Sequence, residues 1–232
     1  VHMAWKITLI ISAAIFACVT LYHTRALPVP VSDTTSKATT ASGILKEFGR
    51  TFVTFFQKKG VLIAMLFMLL YRLPEAFLVK MMNPFLLDSA AEGGLGMSTQ
   101  DVGIIYGTIG VAALTVGGTL GGLAASRWGL KKSLWPMALS LTLPCLSFVF
   151  LAAYQPDNLW IIGSCVALDQ FGYGFGFTAY MLYLIYFSEG EFKTAHYSLC
   201  TAFMALSMML PGLVAGYVQE WLGYTSFFVF VM

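Results

Sequence analysis

The chain has 232 residues, 58% hydrophobic and only 10% charged, with a formal net charge of +2. An ordinary soluble domain carries about 25% charged residues, so this sequence lacks the polar cover that water demands. Its few basic residues sit between apolar blocks and leave no nucleic-acid footprint, and none is expected as a partner.

In chain order the apolar blocks are residues 5–27, 61–87, 103–125, 134–154, 159–187 and 195–218, with a seventh starting at Tyr224. A helix needs roughly 20 apolar residues to cross the hydrocarbon. Only helices and closed barrels satisfy their backbone groups in lipid. Barrel strands alternate in polarity every second residue, and these blocks do not. The fold class is therefore an all-α polytopic membrane bundle. The sequence stops at FFVFVM, inside an apolar run, so a piece of a longer protein is expected, its last span incomplete.

The domains read as 1–27, one span; 28–60, a polar linker; and 61–232, a transmembrane bundle. Lys and Arg collect on one set of connections, at Arg25, Lys37, Lys46, Arg50, Lys58, Lys59, Arg127, Lys131, Lys132 and Lys193. The opposite set carries Asp88, Glu92, Asp157 and Glu220, with Lys6 near the first span. The excess of positive charge marks the first set as cytoplasmic. In the linker, PVPVSDTTSKATTAS is small, polar and proline-marked, hence flexible. After it, Ile44, Leu45, Phe48, Phe52, Phe55 and Phe56 recur at helical spacing, with Lys46, Glu47, Arg50, Lys58 and Lys59 mostly off that face. This predicts an amphipathic helix on the inner leaflet. One span, a linker, then a run of spans is the layout of a transporter built from two six-span halves. On that reading the first block ends an N-terminal half and the rest is the C-terminal half.

The block at 61–87 carries Arg72, Glu75 and Lys80 inside an apolar run, with Pro74 between the first two. An ionised residue at a span's centre costs roughly 2.5–3.5 kcal/mol, so three cost on the order of 8–10. The thirteen Leu, Ile, Phe and Val residues of 61–86 return roughly 4–8 kcal/mol. Charges that can cancel their own helix's insertion usually pair, face a cavity, and mark a substrate or proton path. Arg72 and Glu75, three apart, lie within pairing distance on one face. Lys80 and Asn83 fall within about 140° of that stripe, and Pro74 is placed to bend the span. The plainer alternative is a structural Arg72–Glu75 pair with Lys80 snorkelling outward.

In the next block, Gly117 and Gly121, and Gly118 and Gly122, are each four apart, a spacing that lets helices approach closely. Gly122, Ser126, Arg127, Gly129, Lys131 and Lys132 then resemble the gating-loop signature of the major facilitator superfamily, with Ser126 where that signature has aspartate; the plainer alternative is positive-inside topology with tight packing. In the fifth block, residues 169, 172, 173, 176, 180 and 183 form one stripe of Asp, Gly, Tyr, Gly, Tyr and Tyr. Such a face suits a wet cavity for a polar ligand, and Asp169 and Gln170 are its strongest candidates. The alternative is a packed interface with tyrosines at the lipid boundary. The glycines read G-x-G-x-G with no preceding strand, which rejects a dinucleotide site.

Cys18, Cys145, Cys165 and Cys200 lie alone in separate blocks, so neither a metal centre nor a disulfide framework is expected, and no cofactor is implied. His196, at the start of the sixth block, reads as an interfacial hydrogen-bonder. With no nucleophile–base pair in the sequence, a membrane-embedded enzyme is disfavoured. A transporter-like sensor is a further rival.

YRLPEAF (71–77), ALDQFGYGFGFTAY (167–180) and EFKTAHYSLCTAF (191–203) together resemble the AmpG-type muropeptide permeases of the major facilitator superfamily. Within the likeness, Tyr71-Arg72-Leu73-Pro74-Glu75 has proline where the family commonly has glycine, and Asp169-Gln170 precede Gly174 and Gly176. The likeness runs over residues 44 to 232 and extends weakly to acetyl-coenzyme A transporters. It implies a proton-coupled importer of anhydromuropeptides in the bacterial inner membrane. Arg72, Lys80, Asn83, Gln170, Tyr173 and Tyr180 are then expected at the substrate and Glu75 and Asp169 in proton coupling. Its partners would be a small-molecule substrate, protons, the bilayer and the N-terminal half of the same chain. Another polar solute, such as a sugar, small peptide or coenzyme A ester, is the alternative cargo.

Overall fold

The computed structural model describes residues 2–28 and 40–232; the proline-marked centre of the linker, 29–39, lies outside them. The chain divides into two compact units, Val1–Phe48 and Gly49–Met232. The first holds helix α1 (His2–Ala26), with apolar residues around its whole circumference, and the start of α2 (Ala41–Phe56).

The second unit continues α2 and adds α3 (Val61–Leu70), α4 (Leu73–Leu87), α5 (Thr99–Ile104), α6 (Val111–Trp128), α7 (Leu130–Thr142), α8 (Cys145–Tyr154), α9 (Leu159–Ser188) and α10 (Lys193–Val231). A π-helical turn, Ile105–Gly110, joins α5 to α6. Among the described residues the segments Met3–Ala26, Val61–Leu87, Thr99–Trp128, Leu130–Tyr154 and Lys193–Val231 are long and apolar enough to cross a membrane. Helix α9, 30 residues and about 45 Å long, is long enough too. Its Asp169, Gln170 and glycines dilute its apolar character because they face inward. The protein is an all-α polytopic membrane protein.

Two spans are broken where proline dictates. Pro74 has no N–H and its ring excludes the carbonyl four residues back, so α3 stops at Leu70 and α4 restarts with Arg72 as its N-cap and Pro74 in the first turn. Pro144 separates α7 from α8 in the same way. Gly223 (φ 72°, ψ 164°) breaks α10 before Tyr224, where the seventh apolar block begins. Beyond it, Tyr224 donates its hydroxyl to Asp88 Oδ2 at 2.5 Å. Phe227 and Phe228 join Phe85 and Phe148 in a fully buried aromatic core.

Helix α9 is the centre post, held against α6 on one side and α7 on the other. Its glycines explain how. A methyl at Gly172 would collide with the Ser140 carbonyl and Pro144, and one at Gly176 with the Met137 carbonyl. One at Gly174 would collide with the Leu114 carbonyl on the opposite flank. Residues two apart on a helix point about 200° apart, so G-x-G-x-G serves two partners. This corrects part of the expected stripe: Gly172 and Gly176 line an interhelical contact, not a cavity. On α6, Gly117 and Gly121 meet the Phe171 and Phe175 carbonyls. Gly122 faces open space, and Gly118 reaches Gly174 only at an ordinary 3.8 Å, so the first glycine pair packs and the second does not.

The end of α2 differs from the expected leaflet helix. Ile44, Leu45 and Phe56 are exposed, but Phe55 is fully buried among Ala64, Met68, Tyr180, Leu184 and Cys200. Polar contacts fix the same region. Arg50 pairs with Glu191 at 3.3 Å, Thr54 meets His196 Nε2 at 3.2 Å, and Lys58 donates to the Phe187 and Glu189 carbonyls at 2.6 and 2.7 Å. Those carbonyls end α9 and lack intrahelical donors. Burial lowers Lys58 from the usual lysine value, opposed by the negative charge available at Cys200 and Glu189. An apolar helical face suits lipid and protein equally, which is why Phe55 read as lipid-facing.

Candidate functional site

The break between α3 and α4 sets Arg72 inside the bundle, 4% exposed. Its Nη2 donates to Glu75 Oε2 at 2.9 Å and to the Tyr173 hydroxyl at 3.0 Å. The guanidinium carbon lies 4.6 Å from the Phe177 ring centroid, 5.3 Å from Tyr173 and 5.9 Å from Tyr180. An arginine is weakly hydrated and stacks on aromatic faces, so this box holds a cation that lipid alone would reject. Its Nε is buried with no hydrogen-bond partner among the described residues.

One helical turn before Tyr173, Asp169 is 5% and Gln170 7% exposed. Gln170 Nε2 donates to Asp169 Oδ2 at 3.2 Å, and the Asp169 and Glu75 carboxyls are near enough for their charges to act on each other. Tyr106 and Cys145 are near enough for both charges to act on them. The π-helical turn ends beside this cluster, where a methyl at Gly110 would sit 3.2 Å from Gln170 Cγ. Three backbone irregularities therefore surround the buried charges: the break at Arg72, the π turn at Ile105–Gly110, and the break at Pro144. Such irregular turns are frequent at functional sites. Arg72 pairs with Glu75 alone, and Asp169 beside them is held by Gln170; two buried carboxyls with one ion pair suit holding and releasing a proton.

Other expected residues have other partners. Tyr180 is fully buried and donates to the Met68 carbonyl at 2.7 Å. That carbonyl sits in the last turn of α3, where the proline break leaves acceptors unpaired, so Tyr180 closes the break instead of facing a cavity. Tyr71 likewise donates to the Gly176 carbonyl at 3.1 Å. Tyr183 stacks against Phe187 and meets Phe67 at a tilt. Lys80 and Asn83 are exposed, about two and three turns beyond Arg72 along α4. The Lys80 stem lies over Gly212 of α10, and Lys80 is in no ion pair among the described residues. Sequence reasoning missed Phe177 and Tyr106. Phe177 follows Tyr173 by one turn and was available from spacing; Tyr106 depends on the π turn, which leaves no sequence signal.

In the glycine-marked loop, Gly129 (φ 77°) turns the chain between α6 and α7. Ser126 donates to the Leu123 carbonyl of its own helix at 2.8 Å. Arg127, Lys131 and Lys132 are exposed and, among the described residues, form no ion pair.

No family model matches the chain. It is 32% identical over 195 residues, 80% of its length, to a Rickettsia felis protein named "Putative transporter AmpG 2". It is 27% identical over 172 residues, 73% of its length, to the AmpG 1 protein of Rickettsia prowazekii, which carries the same style of name. It is 27% identical over 187 residues, 77% of its length, to an uncharacterized protein of Haemophilus influenzae. These alignments cover 45%, 37% and 43% of the relatives, so the chain spans less than half the length of the curated proteins it matches.

Proposed function

Starting from a multi-pass membrane protein related to the AmpG-named transporters, we propose a proton-coupled secondary transporter that imports anhydromuropeptides across a bacterial inner membrane. The fold would be that of the major facilitator superfamily, this chain supplying the last span of the N-terminal half, residues 1–27, a cytoplasmic linker at 28–60 and the C-terminal bundle from 61. The observation that carries the reading is the buried Arg72–Glu75 pair, with Asp169 beside it, inside spans that lipid surrounds. Ionisable groups at such depth mark substrate or proton paths.

Each residue has a task in this mechanism. Glu75 and Asp169 take up and release the coupling proton, with Arg72 answering the charge that appears. Tyr173, bonded to Arg72, and Gln170, bonded to Asp169, relay that change along α9. Lys80, exposed and unpaired among the described residues, is better placed than the sealed Arg72 to meet a substrate carboxylate, with Asn83 one turn on. The loop at Gly122–Lys132 moves as the bundle rocks between its two open states.

The test is uptake of labelled anhydromuropeptide by cells that lack their own permease and produce this protein as its gene encodes it. Accumulation that a protonophore collapses, and that unlabelled sugars, free peptides and coenzyme A esters do not compete away, is expected. No uptake by a well-expressed protein would reject this cargo.

A further inference from the structure

We propose that the end of α2, from Arg50 to Lys58, is a latch on the polar turn between α9 and α10, closed in this structure and opened once in each transport cycle. The proposal rests on the transporter reading above and adds to it the element that governs movement of α9.

The latch has an apolar plug and a polar rim. Phe55, fully buried, stacks on Phe203 of α10 and meets Phe187 of α9 edge-on. The polar contacts around it can be exchanged for water. Arg50 and Glu191 pair at 3.3 Å with side chains 62% and 67% exposed, and exposed ion pairs contribute little to stability. The Lys58 ammonium holds the Phe187 and Glu189 carbonyls and lies 5.3 Å from the Phe187 ring centroid. Water satisfies helix-end carbonyls as well as a lysine does.

His196 shows that closing carries a cost. Thr54 donates its hydroxyl to the Thr51 carbonyl at 3.0 Å, so its oxygen accepts from His196 Nε2 at 3.2 Å. The Thr51 carbonyl lies 3.3 Å from the same nitrogen. A carbonyl only accepts, so Nε2 carries the ring proton and Nδ1 is a bare acceptor. That Nδ1 is buried with no hydrogen-bond partner among the described residues. A buried acceptor left unpaired is destabilising, and opening the latch returns it to water. A buried plug with a weak rim and an unpaired group suits a contact that closes and reopens.

The hinge is Gly60 (φ 76°), which turns the chain into α3 and has nothing within 4 Å of where a Cβ would be. Helix α9 carries the motion inward. No proline breaks it between Asp169 and Ser188, about 28 Å of helix at 1.5 Å per residue. Holding its end therefore holds Asp169, Gln170 and Tyr173.

The test places cysteines at the exposed pair, Arg50→Cys/Glu191→Cys, in a full-length Cys18→Ser/Cys165→Ser background, the other two native cysteines being buried. The protein in liposomes is bridged with a short or a long bis-methanethiosulfonate, and labelled anhydromuropeptide is followed as accumulation and as counterflow. The reduced variant is expected to match its background. The short bridge should cut both activities about tenfold or more, since exchange needs the carrier to reorient. The long bridge should leave both intact, and a reductant should restore the short-bridged protein. Spin labels on the same two cysteines should show two distance populations, near and far. Full transport under the short bridge, equal arrest by both bridges, an inactive reduced variant, or a single near population overturns the latch. The spin-label distances need no cargo, so they decide the latch even where the background protein takes up no anhydromuropeptide, a result that by itself removes the cargo reading.

Discussion

Replacing Arg72 with methionine is expected to destabilise the protein by about 3–5 kcal/mol, because it leaves the buried Glu75 carboxyl without its cation. The double variant Arg72→Met/Glu75→Gln should recover most of that loss, since breaking a buried pair is far more costly than removing it whole. The check is a double-mutant cycle on thermal unfolding in detergent. Its coupling term should be large, the double variant losing far less than the sum of the two singles, as for groups in direct contact. The Arg72 side chain also fills the space between Phe177, Tyr173 and Tyr180, which is why methionine, of similar reach, is the better probe. Equal stability of the single and double variants would show that Glu75 does not depend on Arg72.

The second large effect lies in the backbone contacts of α9. Gly172→Ala should destabilise by about 3 kcal/mol, at the upper end of overpacking costs. The methyl meets a backbone carbonyl and a proline ring, neither of which can rotate away. Gly122→Ala is the control. With nothing within 4 Å, it should stabilise by about 0.5–1 kcal/mol through helix propensity alone. Melting temperatures of the two variants should move in opposite directions. A Gly172→Ala protein as stable as the parent would contradict the close packing of α7 on α9.

Much of this architecture was legible because lipid imposes long apolar blocks, and each block from residue 61 onward is helical in the structure. The break at Pro74 and the Arg72–Glu75 pair were legible too, since a missing N–H and a spacing of three are local facts. What was hidden depends on partners distant in sequence. Tyr173 reaches Arg72 across 101 residues, and no spacing rule names that partner. The Asp169–Tyr183 stripe was correct as a helical face, yet a face does not say whether water or a helix lies opposite. Gly172 and Gly176 met α7, the Tyr180 hydroxyl met an unpaired carbonyl, and the Tyr173 hydroxyl met a charge. Phe55 was misassigned for the same reason, an apolar face being indifferent to which apolar partner covers it.

The most direct test of the central claim, that the buried charges couple protons to transport, compares net accumulation with exchange for Glu75→Gln. Labelled anhydromuropeptide would be followed in the protein as its gene encodes it, once against a pH gradient and once as counterflow with unlabelled cargo inside. Loss of gradient-driven accumulation with counterflow retained is the predicted result, because exchange needs the carrier to reorient but not to exchange its proton. Accumulation by Glu75→Gln that still equals the parent's and still collapses with a protonophore would contradict the claim.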